Sequence, residues 1–152
     1  MSDNIIIFSI KESQKLKNIY GQKIINKIEN KIDEKFIDIS KTLFDFHQIN
    51  LKHFISKFGI WAVPVTFNQD NLIYDIKEQK EALIKAGYNL FSDMIIKIFG
   101  AATGGKINFT FKIVNFSQKP DNLDIDTVKN ILKNKEKSSE INKKNNNKNK
   151  RK

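Results

Sequence analysis

Phe58-Gly59-Ile60-Trp61-Ala62-Val63-Pro64-Val65-Thr66-Phe67 contains the only Trp of the chain and one of its two Pro. The run from Trp61 to Phe67 is apolar and rich in β-branched residues, which predicts extended backbone. Pro64 lacks an N–H, so the run is expected at a sheet edge or on an irregular path. Upstream, Asn50 is a good N-cap for a short helix in which Leu51, Phe54, Ile55 and Phe58 share one face, ended by Gly59. Downstream, Asp75 and Glu78 have capping-box spacing at the start of a helix over about 76–99. Nothing in this block can carry out a reaction. Its layout reads as a module that packs against other proteins.

Outward from that block, the N-terminal run Asn4–Ile10 is short, apolar and β-branched, and suits a strand or an arm that pairs with an edge. Ser9 and Glu12 then have capping-box spacing. The helix expected after them, of about 25 residues, carries Leu16, Ile19, Tyr20, Ile24, Ile28 and Ile32 on one face. Residues 36–49 form a hydrophobic connector with Phe36, Ile37, Ile39, Leu43, Phe44 and Phe46. In the helix over 76–99, Ile76, Leu83, Gly87, Leu90, Met94 and Ile98 make one stripe, and Ile84, Tyr88, Phe91, Ile95 and Phe99 a neighbouring one. So wide an apolar face predicts burial on two sides in its second half. Gly100 stops this helix. Ile107, Phe109, Phe111 and Ile113 then alternate on one face of a strand. Pro120 and Asp121 begin a turn, and Asp124 or Asp126 caps a last short helix with Ile125, Val128, Ile131 and Leu132.

At 152 residues the chain fits one domain with a real core. No run of about 18 apolar residues predicts a membrane span. Asp3 ahead of Ile5–Phe8, with no small-residue cleavage site following, speaks against a secretory signal. The chain has no Cys, and so no disulfide framework, thiolate metal site or Cys nucleophile. An intracellular or particle-bound setting is the simplest expectation.

The net charge of +10 is unevenly placed. Residues 133–152 hold nine Lys/Arg against two Asp/Glu, leaving the body with a net charge of only +3. From Lys133 the apolar period fades into Lys/Asn low complexity that cannot bury enough surface to order itself. Only one of the 27 basic residues is Arg. A surface selected for bidentate phosphate or guanine contacts would use more guanidinium.

Four motifs invite a chemical reading. The run from Gly100 to Lys106 fits the GxxxxGK spacing of a phosphate-binding loop. However, Ile107 replaces the required Ser/Thr, and the order is helix then strand, so a glycine turn is expected. His47 and His53 lie six apart, off the shared helical face that a metal pair needs, and no Cys stands by them. Serines without a matched His and acid give no triad. Phe109 and Phe111 with Lys106 and Lys112 interleave aromatic and basic groups as single-strand binders do, yet their shared face with Ile107 and Ile113 reads as core.

Taken in order, these pieces resemble the tail protein I family of contractile phages, a baseplate wedge component. The similarity covers roughly 50–140. It rests on Trp61-Ala62-Val63-Pro64-Val65, Lys80-Glu81-Ala82-Leu83-Ile84, Gly100, Phe109-Thr110-Phe111-Lys112-Ile113-Val114 and Lys135-Glu136-Lys137-Ser138. Glu81 stands where the family has Arg, and Leu90–Met94 runs through the family's Lys-Gly-Thr break. The resemblance implies a wedge subunit that joins a larger J-type baseplate protein, in a virion assembled in the bacterial cytoplasm.

The combined expectation is an α+β domain of three or four helices. Its small antiparallel sheet is built from Trp61–Phe67 and Ile107–Phe116, with Ile5–Ile10 as a candidate third strand. Residues 1–11 are expected as an arm or strand, 12–132 as the assembly domain and 133–152 as a basic tail. The chain is expected to be non-catalytic, with no cofactor and no metal. Trp61, Ala62, Val63, Val65, Phe67, Leu83, Phe109 and Phe111 are expected to face a partner, buried in a hetero-oligomer. The alternative is a basic nucleic-acid-binding accessory protein that uses the tail with Lys106 and Lys112.

Overall fold

In the computed structural model, which describes residues 4–67 and 76–133, the chain is α+β with one four-stranded antiparallel sheet. The strands are β1 (Asn4–Ile10), β2 (Ile55–Lys57), β3 (Ile60–Val65) and β4 (Phe109–Asn115). Between β1 and β2 lie α1 (Ser13–Tyr20) and α2 (Gln22–Leu43), followed by two short 3-10 turns. Between β3 and β4 lie α3 (Ile76–Phe99) and a single helical turn, α4 (Ala101–Gly104). Residues 125–133 form α5. The Asp75 cap, the first three residues and the tail from 134 onward fall outside the described residues.

The sheet order β2-β3-β1-β4, with a helical crossing after β1 and another after β3, is the split βαβ arrangement. It makes the first strand the middle of the molecule. Asn4–Ser9 pairs with Val65–Ile60 on one side, and Asn4–Ile10 pairs with Asn115–Phe109 on the other. The N-terminal run is therefore an integral strand, and this is why Ile5, Ile6, Ile7 and Phe8 are all fully buried.

Both faces of the sheet are covered. Ile6, Phe8 and Ile10 of β1, with Trp61, Val63, Val65, Phe111 and Ile113, pack under α2 and α3. Ile5, Ile7, Ala62 and Val114 meet Phe116, Leu123 and Val128 on the opposite face. Thr127 N–H donates to Asp124 Oδ1 at 2.7 Å, so Asp124, and not Asp126, caps α5 over that second core. The Thr127 hydroxyl first, and this backbone bond second, hold the Asp124 carboxyl below the usual carboxylate range.

Three local expectations are corrected. Ser9 lies inside β1, hydrogen-bonded to the Thr110 hydroxyl, and Glu12 caps α1 by its left-handed backbone (φ 59°) with no side-chain bond. The long first helix is two helices, because Gly21 adopts φ 81°, which a side chain would make costly. That elbow shifts the phase of the apolar stripe. Ile25, Ile28, Ile32, Phe36 and Ile39 are buried, whereas Ile24 stays 47% exposed. Finally, Leu51–His53 is a 3-10 turn and Ile55–Lys57 the edge strand of a hairpin through Phe58 and Gly59, in place of the expected helix.

Pro64 fits this topology for a definite reason. The Ile10 N–H bonds the Gly59 carbonyl, which fixes the hydrogen-bonding phase of β1 with β3. Trp61, Val63 and Val65 therefore turn their main-chain groups to β1, and Ile60, Ala62 and Pro64 turn theirs the other way. β2 reaches only to Ala62, so the missing N–H of Pro64 faces the side where no strand pairs with it, and its carbonyl accepts from Asn50 N–H at 2.9 Å. β3 is thus an internal strand, and not the edge the Pro suggested.

Candidate partner surface

Most of the residues expected to face a partner lie inside this chain's own core. Trp61, Ala62, Val63 and Val65 are 0% exposed, Phe67 6% and Phe111 5%. Leu83 and Phe109 are half-buried. The physical reason is the double cover of the sheet. β3 lies between β1 and β2, so its two apolar faces reach two separate cores of the same molecule.

Trp61 is held by polar as well as apolar contacts. Its indole Nε1–H donates to Asp33 Oδ1 at 2.7 Å, and the Ser56 hydroxyl donates to the same oxygen. The ring lies 5.5 Å from Phe8 and meets Phe58 edge-on at 6.0 Å between centroids. Sequence reading could have found Asp33 only by asking what a buried indole N–H would need.

Glu29 lies one helical turn before Asp33. Burial pushes its pKa above the ordinary 4.5, the Asp33 carboxylate raises it further, and Lys17 on α1 opposes both. The folded state therefore binds this proton more readily than the unfolded chain does. Stability conferred through Glu29 falls as pH rises from about 4.5 through the raised folded value. Glu29→Gln should remove that slope and leave the variant the more stable protein at pH 7, as read from urea midpoints across the window. An unchanged slope would remove Glu29 from the account.

Phe109 and Phe111 do not form an exposed stacking platform. Phe111 packs 5.1 Å from Phe91, and Phe109 stacks on Tyr88 at 4.9 Å. Gly100–Lys106 is the end of α3, one helical turn and the approach to β4, with Gly104 buried against the backbone of Ile96. His53 Nε2 lies 3.2 Å from Asp121 Oδ1, and His47 is exposed. Among the described residues, no group of three or more His, Cys, Asp or Glu could hold a metal, and no helix is long and apolar enough to cross a membrane.

The apolar groups that do reach solvent lie elsewhere. Phe46 is 74% exposed, Ile19 65% and Tyr88 52%. α1 contributes no buried residue at all, and Ile19 and Ile24 flank the Gly21 elbow while Leu16 and Tyr20 are only half-covered. Phe67 and Leu83 line a cleft of about 550 Å³ between the end of α2 and the start of α3, with Leu43, Phe44, Gln48 and Ala82. Lys80 lies 5.8 Å above the Phe67 ring and donates to Asn115 Oδ1 at 2.7 Å. Comparison with protein-family models, with curated proteins and with solved structures gave no match to this chain.

Proposed function

We propose that this chain is a non-catalytic assembly subunit, of the kind that contractile phages place in the tail baseplate, and that it docks onto a larger J-type wedge protein through the α1–α2 elbow. The observation that carries the reading is the elbow itself. Leu16, Ile19 and Tyr20 share one face of α1, Ile24 lies in the first turn of α2 beyond Gly21, and the chain's own core covers none of them fully. Exposed apolar side chains on both sides of one bend are what a partner would cover. The order of the Trp61 segment, the Lys80–Ile84 helix, Gly100 and β4 supports the baseplate assignment by resemblance. A virion location follows from that assignment.

Docking at the elbow replaces docking at Trp61. The test is co-expression with a candidate J-type baseplate protein followed by size-exclusion chromatography. The double variant Ile19→Asp, Ile24→Asp is expected to bind at least about tenfold more weakly, the scale set by burying a charge at a hot spot. Its own unfolding free energy should stay within about 0.5 kcal/mol of wild type, because both residues are exposed. Co-elution by that variant, or none by wild type, would overturn the reading.

A further inference from the structure

The two rims of the sheet are unlike. β2 closes one rim with three residues, whereas β4 runs for seven along the other. The Lys11 N–H bonds the Asn108 carbonyl, and β1 and β4 stay in register from there to Asn4 and Asn115. Thr110, Lys112 and Val114 therefore aim their main-chain groups at β1, and Phe109, Phe111, Ile113 and Asn115 aim theirs outward. Among the described residues, no main-chain bond is made to that outward row. Both sheet faces are already covered, so the rim is where the sheet can still take a partner.

Charge narrows the choice of occupant. From Lys106 to Lys119 the chain has three Lys and no Asp or Glu, and Lys80 is tied to Asn115 at the far end of the strand. Lys112 is half-exposed at the centre of β4, on the face shared with Ile7. In a full-length antiparallel pairing of two β4 strands, Lys112 of one copy would sit opposite Lys112 of the other. That position is a non-hydrogen-bonded one, where side chains come closest and like charges repel. A central Lys on an edge strand is also a common block to self-pairing.

We propose that the outward row of β4 accepts an extended, acidic strand from a partner protein by β-augmentation, with an Asp or Glu opposite Lys112. The incoming strand becomes the fifth of the sheet. Its main chain bonds Phe109, Phe111, Ile113 and Asn115, and its carboxylate selects it over a second copy of this chain. The assignment deepens the assembly reading and rests on it for the existence of a partner.

The test uses the full chain, labelled with 15N, and two blocked peptides of about nine alternating Thr and Val residues, a common strand length, with Glu or Lys at the centre. The Glu peptide is expected to slow amide exchange and shift resonances at Phe109, Phe111 and Ile113 while leaving Thr110 and Lys112 protected as before. It should bind roughly fivefold to tenfold tighter than the Lys peptide, with the difference shrinking in salt. Lys112→Glu should reverse the order of the two peptides with the Trp61 emission unchanged. Absence of an effect at the outward amides, equal binding of the two peptides, or concentration-dependent protection of the rim without peptide would each overturn the proposal. Peptide binding by the Ile19→Asp, Ile24→Asp variant separates failure here from failure of the elbow.

Discussion

Trp61→Ala is expected to destabilise the domain by about 3–5 kcal/mol, a large part of the stability that a domain of this size possesses. The indole is fully buried, and its removal empties space between Phe8 and Phe58 that the β1–β3 pairing holds open. Asp33 also loses the indole donor and, among the described residues, keeps the Ser56 hydroxyl. Trp61→Phe separates the two contributions. It retains an aromatic ring and should cost about 1–3 kcal/mol, the scale of one lost hydrogen bond to a charged group. Urea or thermal unfolding followed by far-UV circular dichroism reads both. If Trp61→Ala unfolded at the wild-type midpoint yet lost its partner, the residue would belong to an interface after all.

Gly87→Ala should also destabilise, by about 1–3 kcal/mol, although Ala is the better helix former by about 1 kcal/mol. A Cβ at Gly87 would come 2.3 Å from Phe111 Cε2 and 2.8 Å from Cδ2. The Phe111 ring has little room to retreat, because it is 5% exposed and packs on Phe91. Gly87 therefore sets how closely α3 lies on β4. Phe111→Leu placed in the Gly87→Ala background should recover part of the loss, giving a coupling of about 0.5–3 kcal/mol in a double-mutant cycle. A stabilised Gly87→Ala protein would show that the close approach is absent.

The sequence showed the elements whose pattern admits one reading. β4 alternates apolar and polar residues, and α3 carries stripes too wide for anything but a half-buried helix. Leu51–Phe58 fits helical spacing and a short strand equally well, and only pairing with β3 decides for the strand. A lone Gly in a helical pattern is usually tolerated, so the Gly21 elbow left no local mark. The burial of Trp61 did leave one. Ile60–Val65 is apolar on both of its alternating sets, which is what a strand covered on two faces needs. That signal was outweighed by Pro64, whose edge-like character is satisfied locally where β2 ends. The exposed apolar positions were hardest to read, because their solvent contact depends on the helix phase that Gly21 resets.

The central place of β1 also bears on how the protein is made. β1 is synthesised before both of its neighbours, Ile60–Val65 and Phe109–Asn115, so its second side cannot be paired until the chain has been made through Asn115. Until then Ile5–Phe8, a short β-prone segment, stays unshielded on the nascent polypeptide, where it is open to misassociation and to capture by holding chaperones.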